Sequence, residues 1–202
     1  MKNMAVPFSN RIDDYLKADE IINYHNDSIT SLADSLYKTT ESKVSYIEKA
    51  YEYVRDNIPH SSDAGKENIP FTAQEVLKEK HGICFAKAHL LVALLRCKAI
   101  PSGFCYQKVI LFEEQPNKLA YHGLVGVYLE KLNKWIRLDP GEGGQFLVDA
   151  EQLVFQVREE LGEIDSFVVY PVPDVKILEK MRNNKTLAGL LADLPTELAY
   201  HT

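Results

Sequence analysis

Long apolar runs are missing from this chain. No segment approaches the roughly 18 consecutive apolar residues of a membrane-spanning helix, and the longest run, around Leu90–Leu95, suits a buried helix. The N-terminal MKNMAVPFSNRIDDYL lacks the apolar stretch of a secretory signal, and Asp13 and Asp14 come early. Basic residues are in the minority, 23 Lys+Arg against 29 Asp+Glu, for a net charge of −6. With no basic stripe, this balance argues against a nucleic-acid partner. Cysteine is scarce: Cys84, Cys97 and Cys105 form an odd set, which reads as reduced thiols in a cytoplasmic protein. His81, Cys84 and His89 give H-x2-C-x4-H, but no second short Cys or His pair completes four ligands, so no metal is expected. Internal repeats and low-complexity linkers are absent as well.

What is present is a globular composition. Of 202 residues, 46% are hydrophobic and 26% charged, which excludes a disordered chain. The length fits one domain, residues 1–202. A domain of this size buries roughly 70% of its unfolded surface and needs no disulfide or metal to stay folded.

The first half of the chain has helical periodicity. Ile29, Leu32, Ala33, Leu36 and Tyr37 mark one face of a helix over 28–38. Val44, Ile47, Ala50, Tyr51 and Val54 mark a second, with Ser42 as N-cap and a stop by Asn57, ahead of Pro59. Residues 60–70 read as a polar loop, and Thr72 caps a short helix that Gly82 breaks. A strongly apolar helix follows from about Cys84 to Lys98, ended by Pro101. Tyr46, Tyr51 and Tyr53 sit at packing positions, and Cys97 and Cys105 read as buried thiols.

Beyond Pro101 the period changes to 2. Residues 103–112, 122–129 and 134–138 read as strands, with a loop over 113–119 containing Pro116 and a fourth strand candidate at 166–170. Two short helical patterns follow, near 174–182 and 186–192. Helices first and antiparallel strands afterwards make an α+β fold. The glycines at 141, 143 and 144 follow a strand, but no Lys-Ser/Thr pair comes next, so they form no phosphate loop.

Three residues carry potential chemistry. Cys84 opens a helix, where the dipole and free N–H groups stabilise a thiolate. His122 starts a strand and Asp139 ends the next one, so a hairpin brings both to one sheet edge. That supplies a nucleophile, a base and a carboxylate to orient the base. The Cys84 backbone N–H is a candidate oxyanion donor.

The surrounding residues resemble the transglutaminase-like superfamily of papain-related cysteine enzymes. The resemblance runs through Gly82-Ile83-Cys84, Ala93-Leu94-Leu95-Arg96, Ala99-Ile100-Pro101, His122 and Trp135-Ile136-Arg137-Leu138-Asp139-Pro140, over about residues 72–141. Tyr53-Val54-Arg55-Asp56, His60-Ser61 with Asp63, Gly103–Gln107 and Gln145-Phe146 are similar to a bacterial subgroup and extend it over most of the chain. The sequence departs from the family at Leu124, two residues after the His, where Trp is frequent, and at Phe85, after the Cys, where animal transglutaminases have Trp.

The resemblance implies a papain-like core with helices packed on an antiparallel sheet. It implies Cys84 as nucleophile, His122 as base and Asp139 as orienter, with Gln107 and His60 as candidates for substrate or oxyanion contacts. The expected activity is hydrolysis of a peptide or protein amide through a thioester, with no cofactor. Acyl transfer is the alternative, either glutamine crosslinking to an amine acceptor or arylamine acylation, and a non-catalytic binding module is the rival from another class.

Overall fold

The computed structural model describes residues 4–115 and 118–199; Pro116, in the expected loop, lies outside the described residues. The helical half follows its caps. Asn26 accepts the Ser28 N–H at the start of α1 (Asp27–Tyr37). Ser42 and Ser45 form a reciprocal capping box on α2 (Lys43–Asn57), as do Thr72 and Glu75 on α3 (Ala73–Glu79). The residue that turns the chain at the end of α3 is Lys80, left-handed at φ 60°, rather than Gly82.

α4 (Cys84–Cys97) is the centre of the molecule. Every residue from Phe85 to Arg96 is buried, so this helix lacks the solvent-facing stripe of a surface helix. The three preceding helices pack on it from one side and the sheet from the other. Arg96, in the last turn, is buried and donates to the carbonyls of Ser102, Lys17 and Pro171. It thereby ties the end of α4 to three separate segments.

A two-residue strand, β1 (Val6–Pro7), precedes the main sheet strands β2 (Ser102–Ile110), β3 (Leu119–Leu129) and β4 (Lys134–Leu138). The expected fourth strand over 166–170 is instead two short pieces, β5 (Ile164–Asp165) and β6 (Val168–Val169). The main sheet is antiparallel with order β4-β3-β2-β5, while β6 pairs in parallel with β1. Strands of two residues have no period to read, which is why the pattern missed this pairing. The long strands also shift at their ends. β2 stops at Ile110, and β3 begins at Leu119, so His122 lies three residues inside its strand rather than at the start.

α5 (Val175–Asn183) and α6 (Leu187–Ala192) close the described chain, with Ile177, Met181, Leu187 and Leu190 in the main core. Among the described residues no helix is long and apolar enough to cross a membrane.

Candidate active site

Cys84 is the first residue of α4. Its N-cap, Ile83, has no side chain that can accept from the first turn, so the helix start keeps its N–H groups available. The loop before it is pinned: the Gly82 N–H donates to the Pro59 carbonyl at 3.2 Å, and Ser61 Oγ hydrogen-bonds His81 Nδ1 at 2.9 Å. These contacts hold the segment around His60 against the start of α4.

Gly123 sets how closely α4 approaches β3. A methyl group at Gly123 would lie 2.6 Å from the Phe85 ring, so only glycine admits Phe85 and brings the neighbouring Cys84 to His122. We expect Gly123→Ala to lower stability by about 1–3 kcal/mol through overpacking and to slow alkylation of Cys84. Urea titration with a timed iodoacetamide reaction checks this. Wild-type values for both would show that the contact is not positioning the helix.

His122 is buried, and its Nε2 meets Asp139 Oδ2 at 2.8 Å. That leaves Nδ1 as the ring nitrogen available to Cys84, which lines the same cleft. Phe155 stacks edge-on to the imidazole with centroids 4.8 Å apart. Burial alone would make His122 shed its proton, but the charges of Asp139 and Cys84 and its hydrogen bonds to both outweigh that and raise its pKa.

Asp139 is 1% exposed. Burial would raise its pKa, yet the His122 charge and hydrogen bond, with the N–H groups of Val154 and Gly141, hold it below the ordinary carboxylate value. Those N–H contacts are 3.0 Å each, to Oδ2 from Val154 and to Oδ1 from Gly141. The Tyr51 hydroxyl donates to the Asp139 carbonyl at 2.9 Å. At Gly144 a methyl group would come 2.2 Å from that same carbonyl and 2.7 Å from the Tyr51 hydroxyl. The glycine-rich turn after Asp139 therefore closes on its backbone carbonyl, while the Gly141 N–H meets its carboxylate.

Cys84 and His122 face a cleft of about 750 Å³, which His60, Asp63, Lys87 and Phe155 also line. His60 is half-buried; burial lowers its pKa against the opposing charge of Asp63, and Lys87 and His122 add to the lowering. Gln107 stands directly opposite His122 in the β2–β3 ladder. It is buried with its Oε1 unpartnered, and it is not among the residues lining the cleft. Lys87 was not singled out by sequence reasoning. The available signal was its lone charge within the apolar run of α4, three residues after Cys84.

The other His and Cys residues separate from the site. His89 hydrogen-bonds the Phe71 carbonyl, and burial pushes its pKa down to about 4. Cys97 is half-buried rather than buried, because it ends its helix, and burial still raises its pKa. Cys105 is fully buried and is pushed up to about 12. Among the described residues no three of His, Cys, Asp and Glu gather as metal ligands.

A family model described as the transglutaminase-like superfamily matches residues 30–140, more than half of the chain. No curated protein matches. Among solved structures, the chain is similar to a candidate cysteine protease from Cytophaga hutchinsonii, at 21% identity and a TM-score of 0.54. The match covers 66% of this chain and 43% of that one, and at this identity the likeness concerns the fold. A red sea bream transglutaminase matches at 12% identity and a TM-score of 0.45, over 91% of this chain and 37% of its own. The chain thus spans less than half the length of either relative.

Proposed function

Because the chain belongs to the transglutaminase-like superfamily, we propose that it is a cysteine-dependent amide hydrolase with Cys84 as nucleophile, His122 as base and Asp139 as orienter. The observation that carries this reading is the His122–Asp139 contact of 2.8 Å beside a cysteine that opens an uncapped helix on a cleft. We take residues 1–202 as one domain, since α5 and α6 bury side chains in the same core as α4.

The steps follow from the placement. His122 takes the thiol proton, and the sulfur attacks the amide carbon. The oxyanion that forms meets the N–H groups at the start of α4. His122 then returns its proton to the nitrogen as the C–N bond breaks, which releases the amine and leaves a thioester. Water, deprotonated by His122, cleaves the thioester and restores the thiol. Asp139 holds the imidazole with Nε2–H toward itself and stabilises its charge throughout. The three thiols remain reduced, as in a cytoplasmic setting.

Brief iodoacetamide treatment at about pH 6, below the ordinary thiol pKa, with peptide mapping tests the nucleophile. Cys84 is expected to react first, because it alone has a cationic imidazole beside it; Cys97 and Cys105 have raised pKa values. Equal labelling of all three would favour a binding module. Digestion of a peptide library with an added amine then reports whether the acyl group passes to water, as expected, or to the amine.

A further inference from the structure

Lys87 follows Cys84 by one turn of α4, and helical side chains lean toward the N-terminus of their helix. It lines the cleft together with Cys84 and His122, yet it is only 4% exposed. Its Nζ makes no hydrogen bond or ion pair to a described residue; Asp139, Cys84, Asp63 and Asp56 act on it through space alone. Two of these carboxylates are held by other groups, and the third makes no hydrogen bond or ion pair with it. Asp139 is committed to His122, Gly141 and Val154. Asp56 is gripped by two nitrogens of Arg55, and Asp63 is exposed to solvent.

The Lys87 stem is buried, while its ammonium is not fully enclosed and opens on the cleft with three donors that no described residue takes up, where an anion can meet them. Burial already pushes the pKa of Lys87 down to about 8. We propose that Lys87 binds a carboxylate of the substrate, adjacent to the amide that Cys84 attacks. The proposal rests on the amide-hydrolase reading and gives it a substrate class: amides with a carboxylate near the scissile carbonyl, whether from a chain end or from an acidic side chain.

Two alkylating agents that differ only in charge test it without knowledge of the substrate. Iodoacetate carries a carboxylate next to the carbon that the sulfur attacks, and iodoacetamide carries a neutral amide there. The ratio of their rates at Cys84 cancels any change in sulfur reactivity. In wild type this ratio should exceed that of a free thiol, and Lys87→Met should lower it about tenfold, the effect of losing one close charge pair. Lys87→Arg should retain most of it, and Lys87→Gln, which keeps a polar tip without the charge, should behave as Met. A ratio unchanged in both neutral variants overturns the proposal. It would do so even if Lys87 instead served the oxyanion, because alkylation develops none. Failure of Cys84 to react preferentially with iodoacetamide would instead strike the amide-hydrolase reading.

Short peptides protecting Cys84 from iodoacetamide separate the two sources. Protection lost on C-terminal amidation assigns the carboxylate to the chain end, and protection lost on Glu→Gln in the peptide assigns it to a side chain. Carboxylate-bearing peptides that protect no better than their neutral counterparts overturn the proposal.

Discussion

Replacing Cys84 with alanine is expected to abolish amide cleavage and leave the fold standing. Without the sulfur no thioester forms, and what remains is substrate binding and the N–H groups of the helix start. In enzymes of this logic, loss of the nucleophile costs on the order of 10⁴-fold or more. The structural cost is small. Cys84 is half-buried, at the first position of α4, and its N-cap contributes no side-chain bond that the change could break. Alanine is a favourable helix residue, so the stability change should stay within about 1 kcal/mol. The measurement is kcat/KM on any amide found in the library digest, with circular dichroism and a thermal melt of the same sample. Wild-type turnover in a folded Cys84→Ala protein would remove the nucleophile and with it the whole thioester scheme.

Much of this site was legible because its parts sit where local sequence rules apply. Ser42, Thr72, Pro59 and Pro101 punctuate helices that appear within a residue or two of their expected limits. The start of α4 at Cys84 follows from the same signals. The approach of His122 to Asp139 follows from a hairpin with a short turn. The parts that escaped depend on contacts distant in sequence. Gly123 looks like any strand glycine until Phe85 is packed on it. Lys87 is a lone charge in an apolar run, and only the burial of the helix around it marks it out. The resemblance implies Gln107 as a substrate or oxyanion contact, yet its side chain is 1% exposed and lies outside the cleft lining. Arg137, in a strand of ordinary alternation, turns out to be held between Glu151 and Asp165. Neither carboxylate is close in sequence, so periodicity contains no trace of either.

His122→Ala should be nearly as damaging to activity as the loss of the sulfur, and Asp139→Asn distinctly less. General acid–base help contributes about 10²–10⁴-fold, and in the proposed scheme His122 supplies it in both halves of the reaction, so its removal should approach the upper end. Removal also leaves Asp139 buried without its cation, with only the Val154 and Gly141 N–H groups to meet its charge. Breaking a buried pair from one side costs about 3–5 kcal/mol, so the variant must be checked for folding before its rate is read. Asn in place of Asp139 keeps an oxygen for the His122 Nε2–H and the Val154 N–H, but turns its NH₂ toward the Gly141 N–H, one mismatched contact of about 1–3 kcal/mol. The ring stays oriented while its charge loses support, and kcat/KM should fall by about 10²-fold. The pH profile separates orientation from charge. Asp139 is one of the groups that raise the His122 pKa, so wild-type activity should persist above the ordinary imidazole value of about 6.5. Neutralising Asp139 withdraws that support and moves the alkaline limb to lower pH. Measurement of kcat/KM from about pH 5 to pH 10 in both proteins decides the matter. An Asn variant as dead as the Ala variant would show that the carboxylate charge is indispensable. An alkaline limb that stays in place would mean that Asp139 does not govern the proton on His122.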